Sequence, residues 1–88
     1  MSKTANPKTK APRSIEAEAF GKVLHRLRTA KGLSQEELGF RSETNRTYIS
    51  DMERGNKEPC LMMLFRISRA LDTPPSLVFK SLEAMLKS

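Results

Sequence analysis

The sequence contains one cysteine, one histidine, one tyrosine and no tryptophan. With Cys60 alone, no disulfide can form within the chain. His25 has no cysteine or carboxylate at ligand spacing, so we predict no metal site and no cofactor. No apolar run approaches the roughly 18 residues of a membrane span, and no apolar segment of a secretory signal follows the basic N-terminus. These absences predict a cytoplasmic protein that does not contact a membrane.

Catalytic motifs are also missing. The 88 residues contain no Gly-rich phosphate loop and no pairing of a nucleophile with a base, so we predict that the protein is not an enzyme. This length suits one domain with a small core. The hydrophobic fraction of 38% and the charged fraction of 30% are typical of a globular fold.

Positive charge is concentrated at the N-terminus. The formal net charge is +6, and residues 1–14 contribute four of these charges, since they contain Lys3, Lys8, Lys10 and Arg13 and no acid. We predict that residues 1–14 form a disordered basic arm, which either lies along DNA or is an unstructured leader. Residues 15–88 are nearly balanced in charge and are predicted to form the folded domain.

Periodic apolar residues and capping signals predict five helices and no strand. Ser14 and Gly32 bracket the first helix, over residues 15–31. Ser34 begins the second, with Glu37 completing a capping box. The third runs from about 46 to 54, after Asn45 and before Gly55. A fourth helix follows residue 60, and a fifth starts near residue 75. The expected fold is all-α, a compact five-helix bundle.

The second and third helices form the most informative stretch. Their short polar connection is typical of a helix-turn-helix, which places its second helix in the major groove of DNA. In the third helix Tyr48, Ile49 and Met52 form the buried stripe, so the polar residues between them point outward. We therefore predict contacts to base edges from the following residues: Arg46, Thr47, Ser50 and Asp51. Asp51 could instead orient Arg46 or Arg54.

These motifs together resemble the phage repressor and Cro-like family of DNA-binding domains, also called the Xre family. The resemblance covers about residues 18–80. It rests on Leu27-Arg28, the run from Gly32 to Leu38, Tyr48-Ile49-Ser50 through Glu53-Arg54-Gly55, and Pro59 with the apolar positions after it. Chain length and the run from Arg46 to Ser50 are similar to the restriction–modification controllers of this family.

The resemblance implies roles for residues beside the third helix. It implies phosphate contacts, which position a protein without reading sequence, from Gln35, Asn45, Tyr48, Lys57 and Arg41. It also implies a partly buried ion pair between Arg28 and Glu53 that ties the first helix to the third.

Three residues depart from the family pattern. Gly39 stands where alanine is usual in the second helix, which lowers helix propensity by roughly 1 kcal/mol. Glu43 occupies a turn position where glycine or asparagine is usual; a positive φ would be strained for glutamate, so we expect a turn of different detail. Cys60 replaces the usual serine or threonine cap of the fourth helix, and we expect a half-buried thiol that serves packing.

The C-terminal helices contain more apolar residues than a small core can bury. We therefore predict a homodimer interface formed by Phe65, Val78, Phe79, Leu82, Met85 and Leu86. The predicted function is a sequence-specific transcriptional regulator that binds a palindromic operator as a homodimer. The alternative is an antitoxin that binds a toxin and regulates its own gene, and a third interpretation is a sequence-neutral architectural protein. Double-stranded DNA and a second copy are the expected partners; RNA polymerase or a toxin are further candidates.

Overall fold

The computed structural model describes residues 14–87. Within this range the chain forms helices only, and their bounds are α1 Ile15–Ala30, α2 Gln35–Arg41, α3 Arg46–Glu53, α4 Leu61–Ala70 and α5 Pro75–Lys87. The predicted all-α bundle is therefore confirmed. The predicted basic arm lies outside the described residues except for Ser14, which caps α1.

Side-chain caps begin the first four helices. Ser14 Oγ accepts a hydrogen bond from the backbone N–H of Ala17 at 2.9 Å. Ser34 and Glu37 form a complete capping box, since each side chain accepts from the other residue's backbone N–H, at 2.9 and 2.8 Å. Asn45 caps α3 in the same way. Such caps contribute about 1 kcal/mol each, and they fix where α2 and α3 begin.

The core lies between α1, α3, α4 and α5, with α2 packed across α3. Its fully buried apolar side chains come from all parts of the bundle and include Val23, Leu24, Leu38, Ile49, Met52, Ile67 and Leu71. Burying one such side chain contributes about 1.5–3 kcal/mol relative to leaving it exposed. Because Ile49 and Met52 are buried together, the orientation of α3 about its own axis is fixed, and its polar side faces outward.

The α2–α3 turn depends on a close backbone approach at Gly39. A Cβ atom on Gly39 would lie 2.7 Å from the carbonyl carbon of Asn45, at the start of α3. The backbone N–H of Thr44 donates to the Gly39 carbonyl oxygen at 2.7 Å, and the buried Ser42 hydroxyl donates to the Leu38 carbonyl oxygen, also at 2.7 Å. The departure from alanine at this position therefore has a packing reason, beyond its cost in helix propensity.

Two expectations about departures from the family pattern are wrong. Glu43 adopts the positive φ that the turn requires, 62°, so the turn keeps its left-handed residue even though this residue is a glutamate. The surrounding hydrogen bonds and the Gly39 contact impose this conformation on it. Cys60 is exposed and not half-buried; its Sγ accepts from the backbone N–H of Met63 at 3.4 Å and so caps α4.

Candidate nucleic-acid interface

The outward face of α3 presents side chains without partners. Arg46 and Thr47 are exposed and Ser50 is half-buried. None of their side chains makes a hydrogen bond or an ion pair with any residue in the range 14–87. The three occupy one side of the helix, opposite Ile49 and Met52. A guanidinium and two hydroxyls held outward on a fixed helix can donate to and accept from base edges.

Asp51, the fourth predicted base contact, is already engaged. Its Oδ1 accepts from Nη2 of Arg54 at 2.9 Å, one turn along the helix. Of the roles that the sequence left open for Asp51, the structure forms the one in which it orients Arg54. A contact from Asp51 to a cytosine amino group requires this exposed pair to open.

The predicted phosphate contacts at Gln35, Asn45 and Tyr48 lie at the starts of α2 and α3. Gln35 Nε2 donates to Glu53 Oε1 at 3.0 Å, which fixes the amide between the start of α2 and the end of α3. Asn45 Oδ1 accepts from the Tyr48 N–H at 2.9 Å, so its amide N–H groups point away from the cap. The Tyr48 hydroxyl donates to the Glu58 carbonyl oxygen at 3.4 Å. Burial raises the pKa of Tyr48, which keeps this hydroxyl a donor.

Arg41 and Lys57 complete the predicted phosphate set. Arg41 ends α2, and Lys57 lies in the loop after α3; both are exposed. Neither forms a hydrogen bond or an ion pair with another described residue. They are surface cations beside the α2–α3 turn and after α3, available to an anionic partner.

Arg28 and Glu53 tie α1 to α3 through a two-pronged ion pair. Arg28 Nε lies 2.6 Å from Glu53 Oε2, and Arg28 Nη2 lies 3.0 Å from Oε1. A third hydrogen bond runs from Arg28 Nη1 to the Leu33 carbonyl oxygen at 2.8 Å. The side chains are only 11% and 6% exposed. This geometry fixes the end of α1, the start of α2 and the end of α3 relative to one another.

The ionisation of Glu53 reflects these contacts. Burial acts to raise the pKa of its carboxyl, but hydrogen bonds from Arg28, Gln35 and His25 outweigh burial and lower that pKa. The hydrogen bond to Glu53 in turn raises the pKa of Arg28 above its ordinary value. The pair is therefore fully charged at neutral pH.

His25 belongs to this network, a role that the sequence analysis missed. Its Nδ1 lies 3.2 Å from Glu53 Oε1 and 3.2 Å from Arg28 Nη2, although the side chain remains 60% exposed. The available signal was the spacing of His25 and Arg28, three residues apart on α1 and hence on one face.

The predicted dimer surface separates into three classes of residue. Phe65, Phe79 and Leu86 are exposed apolar side chains, whereas Leu82 and Met85 are partly buried against the core. Val78 is 2% exposed and belongs to the core of the single chain. The assignment of Val78 to the dimer interface is therefore wrong, because α5 needs one of its apolar residues to pack against α1 and α4.

In the range 14–87, no three His, Cys, Asp or Glu residues are grouped as a metal site requires. None of the described helices is long and apolar enough to cross a membrane.

Sequence comparison decides the family. The family model described as "Helix-turn-helix" matches residues 24–78, more than half of the chain. The chain belongs to the helix-turn-helix family. The matched residues contain both helices of the motif, the Arg28–Glu53 pair and α4. The predicted resemblance to phage repressor and Cro-like regulators is confirmed, and so is the prediction of a DNA-binding regulator.

Relatives of this helix-turn-helix protein include restriction–modification controllers. Control protein C.BamHI of Bacillus amyloliquefaciens is 42% identical over 57 residues, which is 64% of this chain and 70% of that protein. The crystal structure of the controller protein C.AhdI from Aeromonas hydrophila is 41% identical with a TM-score of 0.73, over 75% of this chain and 100% of that one.

A regulator of a different kind is similar in structure. The clp gene regulator ClgR from Corynebacterium glutamicum matches with a TM-score of 0.80 and 29% identity, over 86% of this chain and 81% of that one. These relatives are described as control or regulator proteins, and they give no support to the antitoxin alternative.

Proposed function

We propose that this protein regulates transcription by binding a palindromic operator as a homodimer, with α3 in the major groove. The carrying observation is the contrast within α3: its inner face is fixed by the core and by Glu53, while Arg46, Thr47 and Ser50 point outward without partners. A fixed helix with free polar side chains is what direct reading of bases requires. Access to DNA makes the cytoplasm its expected location.

Arg46 is the strongest candidate for base recognition. It is the first residue of α3, and the N-terminal residues of a recognition helix meet base edges. Its guanidinium can donate two hydrogen bonds to O6 and N7 of guanine. Thr47 and Ser50 follow on the same side, and a thymine methyl suits the methyl group of Thr47. Asp51 orients Arg54, and it can reach a base only when that pair opens.

Phosphate contacts position this helix in the groove. Gln35 keeps one N–H of Nε2 beside its hydrogen bond to Glu53, and Asn45 keeps both N–H groups of its amide, so each side chain can donate to a phosphate oxygen. Arg41 adds charge beside the α2–α3 turn and Lys57 adds charge after α3. The Tyr48 hydroxyl, now donating to the Glu58 carbonyl, is the further proposed donor to a phosphate. These contacts contribute affinity to every sequence equally.

Dimerisation follows from the small footprint of one module. A single recognition helix contacts only a few base pairs, so selectivity requires two half-sites, about 34–36 Å apart for one helical turn. The exposed side chains of Phe65, Phe79 and Leu86 offer an apolar surface for a second copy, with Leu82 and Met85 at its base. Analytical ultracentrifugation at micromolar concentration tests this: a strictly monomeric mass with and without DNA contradicts the homodimer.

The decisive experiment is selection of bound sites from random duplex DNA. We expect the selected motif to be palindromic. Arg46→Ala should lose preference at one base pair of each half-site, about 1–3 kcal/mol, while the preferences at other positions persist. Arg69→Ala is a matched control, since it also removes one exposed arginine, and Arg69 in α4 lies outside the proposed contact set. A selected motif that is the same for Arg46→Ala as for the unmodified protein contradicts the assignment.

The similarity to controller proteins supports a hypothesis about which genes this protein regulates. C.BamHI and C.AhdI support a role in restriction–modification control, in which concentration and operator arrangement set the output, together with RNA polymerase. The neighbouring genes test this role. A methyltransferase gene and a nuclease gene beside this one would support it, and a toxin gene in their place would contradict it.

A further inference from the structure

An open polar groove lies where α1, the start of α2 and the end of α3 meet. Lys22 and Arg26 of α1 form one wall, and Gln35, Glu53 and Arg54 form the other. None of the roles considered above involves Lys22 or Arg26, although Gln35 in the opposite wall is a proposed phosphate contact. The α1 wall of the groove therefore has no assigned role.

The charges of this groove are unevenly compensated. Glu53 is its acidic residue, but that carboxylate is 6% exposed and accepts from Arg28, Gln35 and His25. Arg54 is paired with Asp51. Lys22 and Arg26 are exposed, and neither side chain forms a hydrogen bond or an ion pair within residues 14–87. The groove thus presents two uncompensated cations to solvent.

The position of these cations relative to α3 indicates what they contact. Lys22 and Arg26 are four residues apart, so both lie on one face of α1. Ser50 and Arg54 are related in the same way on α3, so the outward face of α3 continues into the groove. Gln35, a proposed phosphate contact, lines the same groove in the wall that faces Lys22 and Arg26. A duplex lying against α3 therefore runs past Gln35 towards Lys22 and Arg26.

We propose that Lys22 and Arg26 bind the DNA backbone at a phosphate next to the one contacted by Gln35, extending the interface onto α1. The inference rests on the proposed function, because it assumes that α3 lies in the major groove. Both residues are positioning contacts: they add affinity and electrostatic attraction on any sequence, and they do not read bases.

The salt dependence of DNA affinity tests the proposal. Each phosphate contact contributes about 0.9 to the slope of log affinity against log salt concentration. In a dimer, Lys22→Ala with Arg26→Ala removes this contact from each protomer, two phosphates in all, so we expect the slope to fall by about 1.8. The reduction should be the same on the selected operator and on random duplex DNA. Lys22→Arg with Arg26→Lys retains the charges and should retain most of the slope.

Lys80→Ala with Lys87→Ala is the matched control. It removes the same number of charges from α5, where both lysines are exposed, and its oligomeric state is checked alongside. A slope for the α1 double variant equal to that of this control overturns the proposal. A second outcome also overturns the proposal: the protein binds inorganic phosphate saturably, the α1 substitutions abolish that binding, and the salt slope of DNA affinity is unchanged. The groove would then bind a free anion and not the DNA backbone.

The two proposals fail in different ways. If selection yields no motif but the slope on random DNA falls as expected, sequence-specific regulation is wrong and the α1 contact remains. If a palindromic motif appears while the slope does not fall, the α1 contact is wrong and the regulator remains. Helical content measured by circular dichroism should be unchanged in the α1 variant, because neither side chain has a partner to lose.

Discussion

The two ends of α3 differ sharply in how they are held. At the C-terminal end, the Glu53 carboxylate is buried and accepts from three side chains on two other helices. At the N-terminal end, Arg46 and Thr47 extend outward and touch no polar partner among the described residues. One helix of eight residues therefore combines a structural end and an open end. The difference indicates that the residues that stabilise this helix are separate from those proposed to recognise DNA.

Of the changes that test this difference, removal of Glu53 should lower the free energy of unfolding most. Glu53→Ala leaves Arg28 partly buried without its counter-charge, and we expect a loss of about 3–5 kcal/mol in the free energy of unfolding. Asp51→Ala, one turn away, breaks an exposed pair and should cost less than about 1 kcal/mol. Urea unfolding measures both. Equal losses would show that the two ends are not held differently.

Gly39→Ala tests whether the close approach of α2 to α3 is required. Alanine improves helix propensity by roughly 1 kcal/mol, but its Cβ would lie 2.7 Å from a backbone carbon of Asn45. We expect overpacking to dominate, with a net loss of about 1–3 kcal/mol in the free energy of unfolding. Phe40→Ala is the neighbouring control, since Phe40 is 83% exposed. A stabilised Gly39→Ala protein would show that the turn can relax.

Gln35→Ala tests both sides of this difference, because Gln35 donates to Glu53 and is also a proposed DNA contact. Losing its hydrogen bond to Glu53 should cost about 1–2 kcal/mol in the free energy of unfolding. Its proposed phosphate contact should be lost as well, so DNA affinity should fall by a similar factor for all sequences. Unfolding and binding assays on one preparation separate the two effects. A change in the selected motif would instead make Gln35 a base-reading residue.

The smallest expected effect is a change in how the free energy of unfolding depends on pH. Because the pKa of Glu53 is lower in the folded state than its ordinary value, its contribution to stability is complete above the unfolded pKa of about 4.3. That contribution is lost as pH falls through the folded pKa. Urea midpoints between pH 6 and pH 3 should fall more steeply for the unmodified protein than for Glu53→Gln.

A second carboxyl needs its own control in this measurement. Hydrogen bonds from Ser34 lower the pKa of Glu37 as well, so stability that depends on Glu37 is also lost as pH falls. Glu37→Gln isolates this part. If Glu53→Gln follows the same pH profile as the unmodified protein, Glu53 is not the group that titrates.

Local signals in the sequence predicted the scaffold well. The helix starts depend on residues close in sequence, as in the Ser34–Glu37 capping box and the Asn45 cap, so a short pattern contains all the information. The buried positions Ile49 and Met52 follow from helical periodicity alone. The DNA contacts remain predictions, since they concern a partner and not the fold.

The errors arose where distant residues decide the outcome. Val78 looks like its exposed neighbours on α5, and only the packing of α5 against α1 and α4 buries it. Glu43 tolerates a positive φ because the turn around it is fixed by other residues. His25 joins Glu53 across 28 residues of sequence. In each case the relevant contact is absent from the local pattern.

The lack of polar partners at Arg46, Thr47 and Ser50 also affects how such regulators diverge. A substitution of any of these side chains breaks no hydrogen bond to another residue in the range 14–87, so many side chains can be tried there while the fold persists. Operator and protein can then change together through a few point substitutions. Two copies of the gene in one cell could come to control separate sets of promoters with an unaltered scaffold.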